Sequence, residues 1–139
     1  MREINKIIVT SSGASYGNAN KIRYEDIERG YRTIGCHYVI NNGNAYKDDD
    51  LNHNVKDGEL EIGRPESMAG SHTKGQNVNS IGITLIGKDI FTSSQIDTLS
   101  KLLLSLCNKY NIDKNDIYDK NYFDKTSRRL PFEISKILN

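Results

Sequence analysis

The chain has too few cysteines for a disulfide framework. Cys36 and Cys107 are the two among its 139 residues. Cys107 falls on the apolar stripe of a predicted helix, where a thiol serves as core filler. No apolar run approaches the roughly 18 residues of a membrane span, so nothing argues for a membrane partner. Charge of one dominant sign is missing as well. A formal net charge of +1 gives no global field to draw in nucleic acid or an anionic bilayer. The opening Met1-Arg2-Glu3-Ile4-Asn5-Lys6 has no apolar secretion segment, and a cytoplasmic location at synthesis is expected. Repeats and linkers are absent. What remains is one domain, long enough to close a core without staples.

Several elements are legible. Ile4–Val9 is a short β-branched run and reads as a buried strand. Ser11–Asn20 reads as a loop and Tyr24–Gly30 as a short helix stopped by glycine. Cys36–Ile40 reads as a second strand, Asn42-Gly43 as a hairpin turn, and Asn44–Lys47 as the returning strand. Ser80–Ile86 is the best candidate for a central strand. Thr92 and Gln95 have capping-box spacing. The helix they open puts Ile96, Leu99, Leu103, Leu106 and Tyr110 on one face and should end near Tyr110. Residues 111–127 look irregular and polar, and Pro131 suits the first turn of a final helix reaching Leu138. The pattern predicts an α/β (α+β) fold, a mixed central sheet of about five strands flanked by helices.

The most specific stretch is residues 63–87, in which Gly70-Ser71-His72-Thr73-Lys74-Gly75 is followed by Asn79-Ser80-Ile81-Gly82-Ile83. With Ile7–Ser12, Gly30–Ile40, Phe91-Thr92, Gln95 and Phe132, it resembles the zinc N-acetylmuramoyl-L-alanine amidases, the family of phage amidase-type lysozymes and peptidoglycan recognition proteins. The resemblance covers nearly the whole chain as a single domain. It implies a zinc ion held by two His and one Cys, whose water attacks the amide between muramic acid and L-alanine.

Carried over position by position, the resemblance puts the first ligand position on Thr10. Anchoring on Asp124-Lys125 puts the other two on Asp119 and Ser127, while anchoring on Phe132 gives Lys120 and Arg129. The family's catalytic Tyr position falls on Cys36, and its Lys on Lys125 under the first anchor. No His or Cys lands at a ligand position in either version, so the expectation is a domain without zinc or any other cofactor. His37 and His72 stand at positions that resemble the cleft wall, and each reads equally as a hydrogen-bonded structural residue. His53 reads as solvated, and Asp48-Asp49-Asp50 lacks the Gly and Glu of an EF-hand loop. Residues 47–61 look like an insertion relative to compact phage members.

Three functions fit. The first is a catalytically degenerate domain that binds a muropeptide or another small ligand in the former active-site cleft, at Thr10, Cys36, His37, His72, Asp119 and Ser127. The second is an active peptidoglycan hydrolase. If its chemistry were altered, Ser127, Thr10 or Cys36 would be the nucleophile and Asp119 or His37 the base, although no nucleophile elbow is read in the sequence. The third is a phage-type inhibitor or interaction module acting on a host protein.

Overall fold

β-branched residues fill β1 (Lys6–Ser11), β2 (Tyr38–Asn42) and β4 (Ser80–Leu85), and the computed structural model, which describes residues 2–47 and 55–138, pairs them in parallel. β3 (Asp57–Ile62) runs antiparallel to β2 at one edge, and β5 (Ile117–Asp119) runs parallel to β1 at the other. The order is β3-β2-β4-β1-β5, the expected mixed five-stranded α/β sheet. β4 is central and buried at all six positions, as a strand covered on both faces should be.

Alternation along the strands gives the sheet two different faces. Ile7, Val9, Ile40, Ile81, Ile83 and Leu85 face the long helix α2 (Ser93–Tyr110) and pack against Leu99, Leu103 and Leu106. The expected capping box is present. Thr92 Oγ1 accepts from the Gln95 N–H at 3.0 Å, and Gln95 Oε1 accepts from the Thr92 N–H at 2.9 Å. Gln95 also turns its buried amide onto the sheet, where Nε2 donates to the carbonyls of Ile40 and Ile86. On the opposite face a smaller cluster of Ala19, Ile34, Cys36, Val39 and Ile86 packs under α1 (Ala19–Glu28).

Several sequence expectations are corrected. α1 starts five residues before Tyr24, because Asn18 caps it by accepting from the Lys21 N–H at 2.9 Å. Cys36 and His37 lie just before β2 and not within it. Gly43 makes the turn with φ +88, but Asn44–Lys47 forms no strand. The antiparallel partner of β2 is β3, so part of the presumed insertion at 47–61 is the edge of the sheet. Residues 48–54, with His53 and Asp48-Asp49-Asp50, lie outside the described residues. The segment read as irregular contains β5. The final helix α3 is one turn, Ile134–Ile137, and Pro131 precedes it instead of opening it.

Residues 63–79 have no strand and one 3-10 turn, and they are pinned by arginines and carboxylates instead. Arg64 donates to the carbonyls of Ile34 and Ala69 and to Ser71 Oγ. Arg2 donates to the carbonyls of Glu66, Asn77, Val78 and Ser80. The Glu66 carboxylate takes hydrogen bonds from Tyr38, Tyr110 and Lys109, which ties the segment to α2. Charge-assisted bonds of this kind fix a wall that propensity alone would leave loose.

Candidate functional site

A cavity of about 1010 Å³ opens on the α1 side of the sheet. That is at the upper end of ligand-pocket sizes. Its floor is set by strand register. Thr10 and Thr84 are paired neighbours on β1 and β4, and both side chains line it. Cys36 and Gly35 close one side of the floor, and Lys120 and Ser127 the other. The walls are α1 with Arg29, the His72–Lys74 segment and Arg128.

The sequence-derived site residues separate into two groups. Thr10, Cys36, His72 and Ser127 come together on the cavity. His37, Asp119 and Lys125 do not line it. Asp119 is in register with Val9, whose side chain faces α2, so the Asp119 carboxylate points through the sheet away from the cavity. There it accepts from the N–H groups of Asn121 at 3.0 Å and Leu130 at 2.8 Å. The next residue, Lys120, therefore stands beside Thr10 on the cavity face. Lys125 is exposed, with its ammonium 5.7 Å from the centre of the Tyr122 ring.

His37 is wholly buried. Its Nδ1 accepts from the Gly82 N–H at 3.0 Å and its Nε2 lies 2.8 Å from the Met68 carbonyl. Because Nδ1 accepts from a backbone N–H, the proton of the neutral ring is on Nε2 and donates to Met68, and Arg2 Nη2, 3.0 Å from that nitrogen, gives its own proton to the Glu66 carbonyl. Burial lowers the pKa of this imidazole in keeping with that form. His72 sits edge-on to it at 5.9 Å between ring centres. Ser80 Oγ gives its proton to the Gln76 carbonyl at 2.7 Å, so the His72 Nε2–H donates to Ser80 and Nδ1 accepts from Thr73. Burial and the neighbouring His37 hold His72 near a pKa of about 3. Both histidines are thus neutral wall residues at neutral pH. The ring of His72 occupies space that only glycine leaves open. A Cβ on Gly82 would lie 2.4 Å from it and a Cβ on Gly70 2.6 Å.

This geometry limits the chemistry. Burial pushes the Cys36 thiol up to about 11, so it stays protonated and a poor nucleophile. The bases considered for Ser127, Thr10 or Cys36 are turned elsewhere, His37 into its backbone bonds and Asp119 through the sheet. An elbow-like spacing is present after all, Gly13-Ala14-Ser15-Tyr16-Gly17 between β1 and α1. Ser15 neither lines the cavity nor has the left-handed backbone of a strained turn, so the spacing does not make a nucleophile.

A zinc ion prefers imidazole, thiolate and carboxylate donors. The cavity floor presents the hydroxyls of Thr10, Thr84 and Ser127, the Lys120 ammonium and the Cys36 thiol that burial keeps protonated, a set that does not fit it. Among the described residues no three His, Cys, Asp or Glu side chains are grouped to hold a metal. Sequence reasoning missed Thr84 and reached Lys120 under one anchor alone. The β1–β5 register decides for Lys120, and no local motif carries that register.

The chain belongs to the N-acetylmuramoyl-L-alanine amidase family, whose model matches residues 1–129. The endolysin of Escherichia phage T7 is 35% identical over 98 residues, which is 65% of this chain and 56% of the endolysin. The match thus spans little more than half the length of that relative. Among solved structures, N-acetylmuramoyl-L-alanine amidase LysC from Clostridium intestinale URNW superposes with a TM-score of 0.80 at 26% identity, over 98% of this chain and 83% of LysC. A Drosophila PGRP-LB mutant in complex with tracheal cytotoxin superposes at 0.71 with 19% identity, over 99% of this chain and 81% of that one, a likeness of fold.

Proposed function

We propose that this amidase-family domain binds a peptidoglycan fragment, or a small molecule like one, in its cleft without cutting it and without zinc. The observation that carries the reading is an open cleft whose floor carries the Thr10, Thr84 and Ser127 hydroxyls, the Lys120 ammonium and the protonated Cys36 thiol. Hydroxyls and an ammonium hydrogen-bond a ligand well and neither generate hydroxide nor take up a proton at neutral pH. The fold itself accommodates such ligands, since a relative holds tracheal cytotoxin. The likeness to a phage endolysin supports a phage-encoded origin. Among the described residues no helix is long and apolar enough to cross a membrane.

The test is calorimetric titration of the protein with soluble muropeptides, with and without EDTA. Saturable binding that the chelator leaves unchanged is expected. Thr10→Trp, which fills the floor from a half-buried position, should abolish binding while the circular dichroism spectrum stays the same. Binding that disappears with EDTA, or survives Thr10→Trp intact, would contradict the reading.

A further inference from the structure

The cations around the cleft are not equivalent, and Lys74 is an exposed one on the wall. Arg29 is paired with Asp26, and Arg128 with Asp89 at 2.7 Å. Lys120 is half-buried on the floor, and among the described residues its ammonium has no ion pair and no hydrogen bond. Of the acids near it in sequence, Asp119 is turned away, and Asp124 lines the same cavity and feels the Lys120 charge without forming an ion pair with it. Asp119 lies on the other face of the sheet, capping Asn121 and Leu130. Asp124 accepts from the Thr126 N–H and hydroxyl through Oδ1, and from Ser127 through Oδ2.

Two weakly held donors line the same cavity as this ammonium. The Thr10 hydroxyl donates to the Ser11 carbonyl at 3.4 Å, and the Ser127 hydroxyl donates to Asp124 at 3.3 Å. Both distances exceed the usual 2.5–3.0 Å for O–H···O, so either proton turns readily to a better acceptor. A half-buried ammonium with no contact ion pair, sharing the cavity with two weakly held hydroxyls and with only the more distant Asp124 carboxylate to balance it, can take an anion at contact range. The single positive charge matches a monoanion.

We propose that Lys120 anchors a carboxylate subsite on the cleft floor, with the Thr10 and Ser127 hydroxyls as supporting donors. This rests on the cleft-binding reading above and makes it specific: the site takes an anion directly. Two sources carry that carboxylate in peptidoglycan fragments, the lactyl acid of a muramic acid whose peptide is gone, and the free acid of the peptide itself.

The experiment titrates the full chain and Lys120→Met with three probes. N-acetylmuramic acid has the lactyl carboxylate, and N-acetylglucosamine is the sugar without the lactyl group. Muramyl dipeptide has the lactyl group amidated and a carboxylate on its peptide. The wild type should bind at least one acid-bearing probe about tenfold or more tighter than N-acetylglucosamine, the share expected of one charge-assisted contact. Lys120→Met should erase that preference, and Lys120→Arg should retain it. Preference for N-acetylmuramic acid identifies the lactyl source; preference for the dipeptide alone identifies the peptide acid. If Lys120→Met keeps the wild-type preference for the acid-bearing probe, the subsite is overturned while cleft binding stands. If the wild type binds none of the probes, both fall. Should Lys120→Met fail to fold, salt gives the answer in the wild type. The preference should shrink between about 50 and 500 mM NaCl as screening tightens, and a salt-independent preference would overturn the subsite.

Discussion

His72 rests on Gly82 and Gly70 with its ring buried among donors and acceptors that require it neutral, and this has a consequence in acid. Its folded pKa is held near 3, and that of His37 is also lowered. The unfolded chain takes up these protons below about pH 6.5, while the folded chain does not. Stability is therefore complete above that pH and falls as the pH drops, levelling off for His72 near its folded value. One such histidine gives a slope of about 1.4 kcal/mol per pH unit. Thermal melts between pH 7 and 5, above the range where carboxylates titrate, should show a falling Tm. His72→Gln, measured against its own pH 7 value, should flatten that fall. A Tm that is level across this range would mean that the histidines are charged or solvated in the folded state.

β5 is three residues long, yet its register with β1 decides what reaches the cleft. It turns Asp119 through the sheet and sets Lys120 beside Thr10. Asp119→Ala should thus act on stability, with a loss of about 1–3 kcal/mol in urea unfolding from two orphaned backbone N–H groups. Muropeptide affinity of the folded fraction should be unchanged; a variant of full stability and weakened binding would place Asp119 in the site. Elements of this scale were unevenly legible. β4 and α2 announce themselves by continuous burial and by the Thr92–Gln95 cap. β3 reads Asp-Gly-Glu-Leu-Glu-Ile, an exposed edge strand whose alternating carboxylates look like loop. β5 offers one aliphatic residue among polar neighbours, too short for any period. Nothing local in the sequence states which face Asp119 or Lys120 takes, because that follows from pairing with a strand more than a hundred residues earlier.

In the whole molecule, the two faces of the sheet serve different ends. The α2 face holds most of the apolar core, and the α1 face holds a polar cleft over a smaller cluster. The composition of the first face was readable from periodicity, and the family from the residue 63–87 block. The cleft was readable in part: Thr10, Cys36, His72 and Ser127 meet there, whereas His37 is spent inside the wall and Lys125 outside it. A residue's position in the sequence did not determine its direction, and direction is what separates a binding group from a backbone cap. The function proposed for this cleft is recognition without hydrolysis. Its most direct test is incubation of the purified protein with isolated peptidoglycan, with and without added zinc, while newly freed L-alanine amino groups and bound metal are measured together. The account predicts no stoichiometric zinc and no release above the buffer control under either condition. Stoichiometric zinc with zinc-dependent release of L-alanine-linked peptide would contradict it and would require ligands other than the residues on the cleft floor.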